Sequence, residues 1–433
     1  MLENLKKKNN HKGDCMETLY IKGGRELYGD LEVVTAKNAL LPILAGSVIH
    51  NGKIVIEKIA RFSDVMFMVK ILESLGCNVV FQGDSLVIDA SGASNFLVKD
   101  EFTKKVRSSV FMLGPLLSRF KRARVAYPGG CNIGNRPIDL HIKGLKALNV
   151  KIEEKHGYIN CDGRDMIAGE VHLDFPSVGA TENVMMASVL LKGTTIIYNS
   201  AREPEIEDLQ NFLNSLGARV YGAGSSTIVI EGVEKLHDSQ YCPIKDRIVA
   251  GSYLIACAMC GGNIRLNGAR KEHNHALIGK LVQSGATIKC DKNSIEIGVK
   301  GKLHSIPTIE TQPYPGFPTD LQNQILAMQT ISKGTSVVIE NLYESRFKIC
   351  SELVRMGADI TIKDRMAIVK GVGRLYGASV VASDLRGGAG LVLAGLTAEG
   401  YTTVEDIYHI DRGYLSIEED LCKLNAEIKR CNK

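Results

Sequence analysis

The sequence predicts an α/β chain made of six copies of one unit, with its helices enclosed by sheets. Three observations carry this. A phrase that ends a helix and begins a strand recurs six times, as ESLGCNVV, KALNVKIE, NSLGARVY, VQSGATIK, VRMGADIT and CKLNAEIK. Its pivots, Gly76, Asn149, Gly217, Gly285, Gly357 and Asn425, are 73, 68, 68, 72 and 68 residues apart. Gly and Asn accept the left-handed conformation in which helices end, so the phrase has a physical basis. Strand and helix patterns alternate in every copy. Several helices, NALLPILAGSVI among them, are apolar nearly all round, which places them in the interior.

Within a unit the elements follow in a fixed order. The first copy opens with the helix NALLPILAGSVI, turns at Asn51-Gly52 and continues as the strand KIVIEK. A second helix, FSDVMFMVKILESLG, leads to the strand CNVVFQ, a turn at Gly83-Asp84 and the strand SLVIDA. The third copy repeats this with ENVMMASVLL, a turn at Lys192-Gly193, TTIIYN, EIEDLQNFLNSLG and ARVYGA. The fifth does so with LQNQILAMQTI, Lys333-Gly334 and TSVVIE. Residues 1–17, with Lys6-Lys7-Lys8, read as a solvated, disordered tail.

Composition narrows the function. The chain of 433 residues is 45% apolar and 23% charged, as a soluble globular protein is. Fifty-three basic against forty-eight acidic side chains leave +5, too weak and dispersed for a nucleic-acid surface but suited to small anions. No apolar run approaches the ~20 residues of a membrane span, and the tail lacks the core of a signal peptide. Eleven scattered cysteines do not form a disulfide framework, so the chain reads as cytoplasmic with reduced thiols. Cys257 and Cys260 form a C-x-x-C without a second pair, on a small-residue helix, which speaks against a metal site.

Aligned on their first helices, the copies place Lys37, Arg107, Thr181, Arg247, Asp320 and Arg386 at or just before the helix starts. Their separations are 70, 74, 66, 73 and 66 residues, and four of the six are cations. A helix start carries unpaired N–H groups and the positive dipole end, so a cation there strengthens an anion site while opposing the helix itself. Converging helix starts of this kind make a cleft for a polyanion, a phosphorylated carboxylate or a nucleotide diphosphate. Asp320, in YPGFPTDLQNQ, reads either as a helix cap or as a general base among cations; Thr319 could cap equally well. The stretch YPGGCNIGNRP sets Cys131 among helix and strand breakers with Arg136 five residues on, a loop placement that suits a functional thiol.

PGGCNIGNRPIDLHIKGL, PSVGATENVMMA, FPTDLQNQ, ESRF, SDLRGGAGLVLAGL and YHIDRGY closely resemble the UDP-N-acetylglucosamine enolpyruvyl transferases, from about Leu19 to the C-terminus. The resemblance implies the enolpyruvyl transferase fold, two inside-out α/β barrel domains of three units each. One domain is expected at 38–244 and the other at 18–37 with 245–433, with the site in the cleft between them. The implied reaction moves the enolpyruvyl group of phosphoenolpyruvate to the 3′-hydroxyl of UDP-N-acetylglucosamine and releases phosphate, without metal or organic cofactor. By resemblance, Asp320 takes the hydroxyl proton. Cys131 is the general acid toward the methylene and the thiol that fosfomycin alkylates. Lys37, Arg136 and Arg412 grip phosphoenolpyruvate, with Arg346 and Arg386 completing the cationic site. Asn38 holds the sugar. Arg107, the segment Arg136, Pro137, Ile138, Asp139 and Leu140, the turn Ser177-Val178, and Leu342 line the nucleotide-sugar pocket.

The chain departs from the family pattern at Val34-Thr35, where Ser-Gly is usual, and at Val249, where glutamate is common. A β-branched Thr35 would be strained if its site required positive φ. These departures leave two alternatives to the transferase: a related enzyme with another acceptor, and a diverged paralogue that binds UDP-sugar with little turnover and regulates through protein contacts.

Overall fold

The computed structural model describes residues 17–100, 107–127 and 138–432. Six four-stranded sheets repeat one pattern, in which one pair of strands is parallel and the next two pairs are antiparallel. In one sheet, Leu97–Val98 runs parallel to Arg122–Ala126, which pairs antiparallel with Tyr158–Asp162, itself antiparallel to Lys151–Lys155. The six pivots behave as expected: Gly76, Gly217, Gly285 and Gly357 have φ of 101°, 93°, 107° and 94°, and Asn149 and Asn425 have 63° and 76°.

The first helix of each unit lies inside. In the helix Arg247–Cys260 every residue but Cys260 is buried, and in Leu385–Thr397 all from Arg386 to Leu396 are. Each such Leu, Ile or Val contributes about 1.5–3 kcal/mol by leaving water, and helices that do so on every face need sheets around them. The buried apolar residues form two clusters. One draws on Ala36 to Ile230, the other on Leu19 to Val33 together with Ile248 to Ile428.

The chain passes between these clusters twice. Glu17–Lys22 lies between Tyr401–Glu405 and Glu427–Asn432, and Leu27–Glu32 pairs with Gly262–Asn267. Glu17, placed in the tail by sequence, thus opens a strand. Ser239–Tyr241 pairs with Lys53–Ile56 and stays with the first cluster, just before the second crossing. The two crossings run side by side: Thr35 bridges Lys245, Ala36 N–H donates to Ile244 O at 2.8 Å, and Asp246 N–H donates to Val34 O at 2.8 Å. Thr35 has no positive φ, so its branched side chain is unstrained, and its hydroxyl donates to the Lys58 carbonyl.

Candidate active site

Lys37 is the first residue of the helix Lys37–Gly46 and is buried at the crossing. Its backbone N–H donates to Asp246 Oδ2 at 3.2 Å and its Nζ to Asp64 Oδ2 at 3.3 Å. Arg412, at the end of the 3-10 turn Ile407–Arg412, reaches the same carboxylate from the other half, with Nε 3.0 Å from Asp64 Oδ1. One buried aspartate thus joins two cations that lie 375 residues apart in sequence. Burial pushes the Lys37 ammonium down, Asp64 pulls it back, and Arg386 and Arg412 push it down further.

A second carboxylate does the same nearby. Asp320 Oδ1 accepts from Arg346 Nη2 at 2.8 Å, and Oδ2 accepts from Arg386 Nη2 at 2.9 Å. Burial alone would raise this carboxyl, but Arg386, Arg346 and Lys37 outweigh it and hold Asp320 well below the usual carboxylate range. Burial disfavours the charged Arg386, yet Asp320, Tyr414 and Asp246 outweigh it and raise its affinity for the proton. Its guanidinium lies 5.8 Å from the centre of the Tyr414 ring. Arg386 Nη1 and Arg346 Nε are buried with no hydrogen-bond partner among the described residues. Unmet donors of this kind are costly unless an acceptor arrives.

Aspartates compensate the helices for cations at their starts. Asp384 accepts from the N–H groups of Arg386 and Gly387 at 3.0 Å, and Asp246 accepts from Ile248 and Val249 at 2.9 Å. The carboxylate therefore supplies the cap that the dipole favours, and the arginine side chain is left to pair with another carboxylate, Asp320 for Arg386 and Glu205 for Arg247.

Comparisons with known proteins show which family the chain belongs to. The family model described as EPSP synthase (3-phosphoshikimate 1-carboxyvinyltransferase) matches residues 21–421. The UDP-N-acetylglucosamine 1-carboxyvinyltransferase 2 of Caldanaerobacter subterraneus subsp. tengcongensis is 52% identical over 95% of this chain and 98% of its own length. A second relative, the UDP-N-acetylglucosamine 1-carboxyvinyltransferase 1 of Clostridium perfringens, is 42% identical over 96% of this chain and all of its own. The chain belongs to the UDP-N-acetylglucosamine 1-carboxyvinyltransferase family. It is a carboxyvinyl (enolpyruvyl) transferase. Among solved structures it is similar to the enolpyruvyl transferase NikO from Streptomyces tendae, with a TM-score of 0.85 and 21% identity over 96% of this chain and 99% of that one. EPSP synthase from Acinetobacter baumannii follows with a TM-score of 0.75 and 16% identity over 96% of this chain and 100% of that one. The fold is the enolpyruvyl transferase fold, six repeated units with helices inside and sheets outside.

Of the residues that sequence assigns to this transferase's site, Lys37, Asp320, Arg346, Arg386 and Arg412 form one charged cluster. Asn38 follows Lys37 on the same helix. Ile138, Asp139 and Leu140 lie at the start of the helix Asp139–Ala147, and Ser177 caps Val178–Ser188, its Oγ accepting from Ala180 N–H at 3.4 Å. These two helix starts are packed together: a Cβ on Gly179 would lie 2.8 Å from His141 Cε1, and Asn183 Nδ2 is 2.8 Å from His141 Nδ1. Leu342 is half-buried after the strand Thr335–Ile339, its N–H donating to Glu340 Oε1 at 2.8 Å. Arg107 opens the 3-10 turn Arg107–Met112. Cys131, Arg136 and Pro137 lie outside the described residues.

Three expectations change. Thr181 is not at a helix start but in the first turns of Val178–Ser188, where its hydroxyl donates to Ser177 O at 2.8 Å and accepts from Ala201 N–H at 3.0 Å. Arg247 is not an open anion ligand, because its Nε donates to both Glu205 oxygens at 3.0 and 3.2 Å. Asp320 does not cap its helix; its carboxylate is spent on the two arginines, and Thr319 donates to Glu340 at 2.9 Å instead. Sequence reasoning missed Asp64, whose place in the first turn of the helix Ser63–Ser74 looks like ordinary dipole compensation. Cys257 is buried in its helix, its thiol pushed up to about 12 by burial.

Proposed function

We propose that the chain transfers the enolpyruvyl group of phosphoenolpyruvate to the 3′-hydroxyl of UDP-N-acetylglucosamine and releases phosphate, the first committed step of peptidoglycan synthesis. The observation that carries this reading is the Asp320 carboxylate held between Arg346 and Arg386, beside Lys37 and Arg412 on Asp64. Such a site presents fixed positive charge and a proton acceptor within one cluster. The phosphoenolpyruvate carboxylate supplies the acceptor that Arg346 Nε and Arg386 Nη1 lack. As those guanidiniums turn to it, Asp320 regains basicity and takes the proton of the sugar hydroxyl.

The hydroxyl oxygen then bonds to C2 of phosphoenolpyruvate while the methylene carbon takes a proton from Cys131. Loss of a proton from that carbon and cleavage of the C2–O bond to phosphate yield the enolpyruvyl ether. Lys37, Arg136 and Arg412 hold the departing phosphate, a use of preorganised charge that needs little rearrangement at the transition state. Asn38 holds the sugar, and Arg107, Ile138, Asp139, Leu140, Ser177, Val178 and Leu342 line the nucleotide-sugar pocket. We read the two buried clusters as two domains, at 38–244 and at 18–37 with 245–433, although Ala36 already belongs to the first cluster. The nine cysteines among the described residues are all unpaired, which suits a cytoplasmic setting.

The test is phosphate release from the purified chain with both substrates and with each omitted in turn. Release is expected only with both. Release from phosphoenolpyruvate without UDP-N-acetylglucosamine, or none with both substrates present, would reject the reading.

A further inference from the structure

Arg412 is held by Asp64, and the residue before it is held by a different partner. Asp411 takes Arg430 on both carboxylate oxygens, with Nη2 to Oδ1 at 2.7 Å and Nη1 to Oδ2 at 3.0 Å. The rest of the guanidinium is also engaged. Nε donates to Glu418 Oε1 at 2.6 Å, Nη2 to Glu418 Oε2 at 3.3 Å, and Nη1 to Glu17 Oε2 at 2.8 Å. All five N–H donors of arginine are thus used, on carboxylates from three separate segments. Those segments are the strand Glu17–Lys22, the turn Ile407–Arg412 and the helix Ile417–Lys423, while Arg430 comes from the strand Glu427–Asn432.

The sheet does not need this arrangement. Glu17–Lys22 and Glu427–Asn432 are already joined along their whole length by an antiparallel ladder, from Glu17 opposite Asn432 to Lys22 opposite Glu427. The added effect falls on the turn, whose entry residue Asp406 has φ of 55° and whose last residue is Arg412. Two-pronged arginine–carboxylate pairs fix direction as well as distance. We propose that Arg430 is a positioning residue for the transfer reaction: by clamping Asp411 it sets, through one peptide bond, where Arg412 meets the phosphate of phosphoenolpyruvate. The inference rests on the assignment of Arg412 given above. Without Arg430, three carboxylates face one another and the turn swings away from them.

The test compares Arg430→Gln, Asp411→Asn, their double variant and Arg412→Gln in the full chain, reading kcat/KM for phosphoenolpyruvate and the Kd for UDP-N-acetylglucosamine. A misplacement of the cation by about 1 Å lowers kcat/KM for phosphoenolpyruvate about tenfold or more. Each single variant is expected to show that loss with the nucleotide-sugar Kd unchanged, and the double variant to fall no further than the worse single. Asp411→Asn keeps the contacts of Arg430 with Glu17 and Glu418, so it decides the matter if Arg430→Gln does not fold. An unchanged kcat/KM in a folded Asp411→Asn protein, or an equal loss of nucleotide-sugar affinity, would overturn the clamp. A normal kcat/KM in Arg412→Gln would instead overturn the site assignment on which the clamp rests.

Discussion

A carboxylate gripped by two arginines is a poor base, and Asp320 is in that state until an anion competes for its partners. As the proposed base, it therefore depends on the substrate that supplies the anion. Replacing it with asparagine keeps the size and one of the two acceptor oxygens but removes the base, so kcat should fall by about 10²–10⁴ while UDP-N-acetylglucosamine still binds. Single-turnover rates and titration of the nucleotide sugar check this; turnover within a few-fold of wild type would remove Asp320 from the mechanism. Asp64 is coupled to pH in a different way. Burial, Arg386 and Arg412 all push the Lys37 pKa down, and Asp64 is the largest influence in the other direction. In Asp64→Asn, Lys37 should lose its proton at a lower pH. The alkaline limb of kcat/KM for phosphoenolpyruvate should then move to lower pH, and a limb that stays in place would separate Asp64 from Lys37. At this scale the sequence was partly legible. Lys37, Asp320 and Arg386 share a repeat position, which exposed them. Asp64 and Arg430 do not, because their roles come from pairings with Arg412 and Asp411 that no local pattern encodes.

At the scale of elements, the repeat phrase located the helix ends because only a few residue types accept the left-handed turn that closes them. Helix starts were less legible. Thr181 was misplaced because the helix already begins at Val178, capped by Ser177, and capping residues also occur further along PSVGATEN. The second helix of the third unit, Pro204–Ser215, shows how an element can carry pH dependence. Asp208 on this helix accepts from the Tyr241 hydroxyl at 2.6 Å and from Ile244 N–H at 3.2 Å, next to the crossing. Burial pushes its carboxyl up to about 6 from the ordinary 3.8, although the two hydrogen bonds oppose this. The folded chain therefore keeps this proton over a pH range in which the unfolded chain releases it. Asp208 makes stability fall as pH rises from about 4 to about 6. Asp208→Asn should remove that part of the slope, a difference of up to about 3 kcal/mol between the two proteins across the window. Parallel pH–stability curves from denaturant melts would show that Asp208 is not held protonated.

At the scale of the molecule, the two clusters touch through charges as well as through the paired crossings. Arg247 in the second half and Glu205 in the first are both buried, and each is the other's hydrogen-bonded partner. Removing one member of such a pair leaves a stranded charge, so Arg247→Met should destabilise by about 3–5 kcal/mol. Arg247→Met with Glu205→Gln should recover most of that loss in the same unfolding assay; strictly additive losses would argue that the pair does not couple the halves. The inside-out architecture could be read from the all-round apolar helices, but the position of this bridge could not, since Arg247 occupies the repeat position of the anion ligands.

The strand Glu17–Lys22 has a further consequence, for how the chain is made. Among the described strands it leaves the ribosome before any other, and its two neighbours, Tyr401–Glu405 and Glu427–Asn432, follow nearly the whole described chain later. At roughly 5–20 residues per second, it waits on the order of 20–80 s with both edges unpaired, while the cluster spanning Ala36 to Ile230 already has its own residues in hand. Newly made protein therefore passes through a stage in which one half is finished and the other lacks its central strand. At that stage the nascent chain is most open to a stray strand, and to the chaperones that guard against one.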